Sequence, residues 1–254
     1  MVNGTAVYVL WLREMKRFSR AKSRILGSLI MPLFFLAFLG LGFSRMPVPG
    51  VASGVNYIKF LVPGILGMTL LFSSTMQGLS VLWDREFGFL KEIMVAPVSR
   101  VSIALGRIAG GVTTSLLQAL LILAASILLG FRVRSGLALL AALGLMILIS
   151  FAFIGLGLIF ASRMKDMQGF GLVMNFLVFP LFFLSGAFYP LGNLPWVIRS
   201  LSFIDPLTYG IDGLRAVLIQ THVFPLALDF AVLAVFAAAM LFLGAYFFEK
   251  SESV

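Results

Sequence analysis

Charge-free stretches dominate the chain. Asp, Glu, Lys and Arg are absent from residues 25–44, 60–83, 108–131, 135–162, 167–198 and 230–248. Each stretch reaches the roughly 20 residues needed to cross about 30 Å of hydrocarbon as a helix. One charge at mid-membrane costs about 2.5–3.5 kcal/mol, so charge-free runs of this length carry information. The pattern predicts an all-α membrane protein of one transmembrane domain, residues 1–254. Its six transmembrane helices fall at about 25–43, 58–83, 101–130, 137–161, 169–188 and 226–248. The fifth run is too long for one crossing, so its helix ends near Phe188 and the remainder becomes an outer loop.

Three segments outside the spans have patterns of their own. In 6–24, Tyr8, Trp11, Leu12, Met15 and Phe18 form one apolar helical stripe. Arg13, Lys16, Arg17, Arg20 and Arg24 lie largely away from it, which predicts an amphipathic helix in the membrane interface. In 84–100, Phe87, Leu90 and Met94 share a helical face, Pro97 stops the helix, and Ser99 can cap the next span. An apolar face at the cytoplasmic surface requires a partner groove or the membrane. In 189–225, Asn193-Leu-Pro195 and Asp205-Pro206 each read as a helix start, predicting short helices at about 194–204 and 206–220. These are too short to cross, so they are expected to dip into the outer leaflet as a re-entrant pair, with Asp212 and Arg215 pairing three residues apart.

Composition agrees with a membrane protein. Hydrophobic residues make up 61% of the chain and charged residues 11%, against roughly a quarter charged in soluble domains. The net charge of +9 therefore reflects topology and anionic lipid rather than nucleic acid. With the N-terminus inside, Arg45, Lys59, Arg132, Arg134, Arg199 and Arg215 fall outside; the other thirteen of the 19 basic residues are cytoplasmic. The positive-inside rule then places both termini in the cytoplasm. Six basic residues precede the first apolar run and no small-residue cleavage site follows it, unlike a cleaved signal peptide.

Chemistry is sparse. There is no cysteine and one histidine, His222, so no thiolate or histidine metal site is expected. No G-x-x-x-x-G-K-[ST] loop, G-x-S-x-G elbow or H-E-x-x-H helix occurs. Ionisable residues are almost absent from the spans, which disfavours a proton-coupled carrier. The polar residues inside them are neutral: Thr69, Ser73 and Gln77 form one stripe on the second span. Gln168, Gly171 and Asn175 form another on the fifth. Such stripes join helices or line a pathway. Gly106-Arg-Ile-Ala-Gly110 is a small-xxx-small pattern for close helix packing.

Four stretches, in order, resemble the type-2 permease family of ABC transporters, above all its daunorubicin-resistance and nodulation-factor exporter branch. They are Phe60-Leu-Val-Pro-Gly64; Asp84-Arg-Glu-Phe-Gly88 through Ala96-Pro-Val-Ser-Arg100 and Gly106-Arg107; Leu184-Ser-Gly-Ala-Phe-Tyr-Pro190 with Asn193-Leu-Pro195; and Asp205-Pro-Leu-Thr-Tyr-Gly210 with Asp212-Gly-Leu-Arg215. The family pattern often has Asn at Asp205, and either residue caps a helix.

The resemblance implies a permease in the plasma (inner) membrane of a prokaryote. It dimerises, as a homodimer by expectation, and pairs with two copies of a separate ATP-binding subunit, which binds the ATP and Mg. No cofactor is expected in this chain. The resemblance also names the three extra segments: an N-terminal elbow helix, a coupling helix and outer re-entrant helices. Glu86, Phe87, Gly88, Leu90, Met94 and Pro97 become the contact with the ATPase subunit. Thr69, Ser73, Gln77, Asn175 and Phe179 become candidates for lining the pathway, and Asp205, Pro206, Asp212 and Arg215 mark the outer helices. The expected function is export of an amphiphilic or drug-like molecule, lipid or glycan. Export of a lipid-linked polysaccharide is the alternative within transport; a membrane-embedded enzyme or passive channel is the alternative from another class.

Overall fold

The computed structural model describes residues 3–43, 56–86, 98–164 and 168–251. Every regular element among them is a helix. In chain order these are α1 (Gly4–Arg20), α2 (Lys22–Gly42), α3 (Tyr57–Glu86), α4 (Arg100–Leu128), α5 (Gly136–Arg163), α6 (Gln168–Val173), α7 (Phe179–Leu184), α8 (Trp196–Ser202), α9 (Pro206–Ile219) and α10 (Leu226–Ser251). A π-helical turn, Met174–Val178, joins α6 to α7.

Polar caps start the helices where the sequence supplies them. Asn3 accepts from the Thr5 and Ala6 N–H groups, Ser99 from Ser102, Ser135 from Ala138, and Asp205 from Leu207. Each satisfies backbone donors that have no partner inside the first turn. Asn193 does not cap as expected. It lies in a short 3-10 turn, Leu191–Asn193, and α8 begins at Trp196 with no side-chain cap.

Five described helices are long and apolar enough to cross a membrane: Ile25–Gly42, Tyr57–Asp84, Val101–Leu128, Gly136–Arg163 and Leu226–Phe247. The fifth predicted span differs. Its apolar helical part, Gly169–Leu184, is shorter than the others, and it is interrupted. Pro180 has no N–H to give, and ahead of it the Phe179 N–H reaches back five residues to Met174 O. The backbone widens into a π turn where an ordinary helical bond is unavailable.

α3 is the central strut. Its apolar stretch is 83% buried, against 22% for α2 and 17% for α10, which lie at the periphery. α3 packs on α5, α4, α2 and α9, while α5 backs onto α10. The α3–α5 contact is backbone on backbone. A Cβ on Gly78 would sit 2.5 Å from Ile154 O, and one on Gly157 would sit 2.5 Å from Thr75 O. Small residues allow this approach where lipid offers no hydrophobic drive for helices to associate.

α1 runs beside α4 in the same direction. Asn3 meets Ser102, Leu10 meets Gly106, and Glu14 meets Gly110. Trp11 Nε1 donates to Thr113 Oγ1 at 3.1 Å. The small-xxx-small pattern of α4 thus receives α1, and Trp11 is turned from the predicted lipid-facing stripe into a helix contact. Tyr8 of that stripe stays exposed.

Replacing Gly78 with Val is expected to push α3 from α5 and lower stability by about 1–3 kcal/mol. A fall in the thermal midpoint of the detergent-purified protein measures it; an unchanged midpoint contradicts the close approach.

Candidate functional site

A groove of about 500 Å³ opens between α2, α3, α4 and the α6–α7 segment. Thr69, Ser73 and Gln77 line it from α3, as one helical face must when residues recur every fourth position. Phe179 closes another side and stacks edge-on against Phe72, with ring centroids 5.0 Å apart. Asn175 does not reach the groove. It is exposed on the opposite side of α6–α7, beside Leu172 and Phe176, which are 61% and 78% exposed. Gln118 of α4, absent from the sequence-based candidates, lines the groove and is 5% exposed. Its signal was legible as a large polar residue within the charge-free run 108–131.

At one end of α3 lies an ionic cluster. Asp84 pairs with Arg107 of α4 at 2.8 Å, and with Arg13 and Arg17 of α1 at 3.5 and 3.6 Å. Arg17 also pairs with Glu14 at 2.7 Å. Glu14 and Asp84 are 6% and 7% exposed. One carboxylate therefore ties three helices together, and each charge depends on the others to offset its lost hydration. α3 continues from Asp84 to its last residue, Glu86. The expected partner contacts Phe87, Gly88, Leu90, Met94 and Pro97 lie outside the described residues.

The segment between α7 and α10 holds a second set of buried polar groups. Asp205 caps α9, and Pro206 occupies its first turn. Burial pushes the Asp205 carboxyl up to about 7, against the opposing pull of bonds from the Leu207 N–H and the Thr208 hydroxyl. Asp212 and Arg215 do not pair with each other as predicted. Asp212 accepts the Val223 and Phe224 N–H groups at 2.8–2.9 Å. Arg215 donates to Gly186 O and Ala187 O at 2.7 and 3.0 Å, and its guanidinium lies 3.8 Å from the Phe60 ring centroid. Each side chain instead satisfies backbone groups of a different loop, Arg215 those at 186–187 and Asp212 those at 223–224, a stronger need than an i, i+3 pair. Tyr57 Oη adds a bond to Phe188 O at 3.2 Å.

Comparison with known proteins places these features. Residues 5–219 match the family described as ABC-2 type transporter. The chain belongs to that family. It is 31% identical over 238 residues to the inner membrane transport permease YadH of Escherichia coli (strain K12), covering 92% of this chain and 91% of YadH. It is 28% identical over 245 residues to nodulation protein J of Rhizobium meliloti (strain 1021), covering 95% and 92%. The protein is thus a multi-pass ABC-2 permease, and its functional features are those of a transport subunit.

Two outcomes follow for this permease. Asp84→Asn leaves Arg107 buried without its counter-charge and is expected to cost about 3–5 kcal/mol. Adding Arg107→Gln should recover part of the loss, read as thermal midpoints in a double-mutant cycle; strict additivity contradicts the pairing.

Asp205 gives a pH signature. Its folded carboxyl holds a proton that the unfolded chain releases, so Asp205 removes stability as pH rises from 3.8 to about 7. Asp205→Asn, which still caps α9, should raise the thermal midpoint above wild type at pH 8. The gap should close as the pH is lowered towards 4. A gap independent of pH contradicts the assignment.

Proposed function

We propose that this permease is the membrane half of an ATP-driven exporter, moving an amphiphilic or drug-like molecule, lipid or glycan out of the cytoplasm. Two copies form a seam, and two copies of a separate ATP-binding subunit bind the ATP and Mg. The observation that carries this reading is the groove, of the roughly 300–1,000 Å³ size that suits a drug-sized ligand, with a polar stripe on one wall and methionine and phenylalanine on the others. The exposed face of Leu172, Asn175, Phe176 and Phe183 supports a second copy across the seam, because an amide facing hydrocarbon needs a partner.

In this reading the α6–α7 segment is the fifth of six crossings, shortened by its π turn, and both termini are cytoplasmic. α1 is the elbow helix, and α8 and α9 dip into the outer leaflet as the re-entrant pair. The segment 84–100 is the coupling segment, and its residues 87–97 lie outside the described residues. Closure of the ATP-binding subunits presses on it, and α3 and α4, which flank it, tilt at the seam. The Asp84 cluster makes α1 follow, so the bundle switches between two arrangements rather than bending continuously.

The test is co-purification with the ATP-binding subunit and an assay of transport. Leu90→Asp places a charge on the proposed contact face. The permease should still insert and dimerise, but lose the subunit and lose transport. If the subunit stays bound and ATP-driven transport survives, the coupling assignment is wrong.

A further inference from the structure

The polar side chains of the groove offer acceptors, and the hydroxyl donors among them are committed. Ser28 Oγ donates to Ile25 O at 2.8 Å, Thr69 Oγ1 to Ile65 O at 2.8 Å, and Ser73 Oγ to Thr69 O at 2.6 Å. A hydroxyl has one proton, so what these groups have left for a ligand is oxygen lone pairs. The amide nitrogen of Gln77 donates to Thr114 Oγ1 at 2.9 Å, which leaves its oxygen as the natural acceptor. Gln118 completes the stripe from α4. Its amide oxygen is buried and has no hydrogen-bond partner among the described residues. A buried acceptor in that state bears its desolvation cost in full until a donor arrives. Among the described residues lining the groove there is no Asp, Glu, Lys or Arg.

We propose that the permease selects its cargo by hydrogen-bond donors. The ligand class is an uncharged amphiphile whose N–H or O–H groups meet this stripe, with Gln118 as the specificity-determining residue. Its apolar body lies against Met31, Met68, Phe72 and Met174, where thioethers tolerate varied shapes. An ionised head finds no counter-charge on these walls, and its lost hydration goes uncompensated. A ligand bearing only acceptors leaves the buried Gln118 oxygen unpaired. The inference rests on the groove being where cargo binds.

The experiment uses the full-length permease in lipid nanodiscs and two fluorescent probes that differ by one donor, N-octyl dansylamide and its N-methyl derivative. Binding is titrated by dansyl emission against empty nanodiscs. The N–H probe should bind roughly tenfold more tightly than the N-methyl probe, the factor expected for satisfying one buried acceptor. Gln118→Met, similar in shape, should abolish that preference by weakening only the N–H probe; Ser73→Ala should reduce it. Ser73→Ala decides the matter if Gln118→Met does not fold. Equal affinity of the two probes for the wild type overturns the proposal, as does a preference that survives both substitutions. Met31→Trp, placed on the half-exposed rim, tests the underlying reading separately. It should exclude both probes, and undiminished binding of both would show that the groove is not the cargo site.

Discussion

A polar group withdrawn from water must find a partner, and in hydrocarbon that demand falls on every backbone amide and every charge. The long helices meet it by internal bonding. Where the chain leaves the helical pattern, side chains take over. Arg215 supplies the Gly186 and Ala187 carbonyls, and Asp212 supplies the Val223 and Phe224 amides. Asp205 starts α9 under the same requirement. The segment between α7 and α10 can therefore pack against α3, α5 and α10 because three buried ionisable residues act as its hydrogen-bond scaffold.

The same requirement explains the cluster around Asp84. A carboxylate 7% exposed cannot stand alone, and Arg107, Arg13 and Arg17 converge on it from two other helices. Such a cluster adds little net stability relative to apolar packing, but it is intolerant of partial disruption. That property suits a joint. α3, α4 and α1 are fixed to one another near the end of α3, two residues before its last residue, Glu86.

Packing elsewhere depends on the absence of side chains. Gly78 and Gly157 bring the α3 and α5 backbones together, and Gly106 and Gly110 admit α1 against α4. By contrast the groove is bordered by long, flexible or aromatic side chains and by the interrupted α6–α7 segment. Tight seams and an open groove thus divide the molecule between closely packed parts and a part with room for a ligand.

Much of this was legible in the sequence. Charge-free runs located α2, α3, α4, α5 and α10, because the cost of a buried charge is paid residue by residue and needs no knowledge of neighbours. The caps at Ser99 and Asp205 were legible for the same local reason. The four-residue spacing of Thr69, Ser73 and Gln77 put them on one face, though not what that face met. Other features depended on residues distant in the chain. Asp212 and Arg215 looked like a local pair until the loop backbones competed for them. Asn175 looked equivalent to the α3 stripe until packing turned Phe170 and Met174 to the groove and left Asn175 exposed. Gln118 became part of the groove only when α4 came beside α3, and Trp11 left its amphipathic stripe when Gly106 and Gly110 offered a seat. Hydrophobicity and helical periodicity are properties of the chain itself, so the sequence alone determined that this protein spans a membrane as helices. Which polar group satisfies which is settled by whichever partner three-dimensional packing brings within bonding distance, and only the tertiary structure decided that.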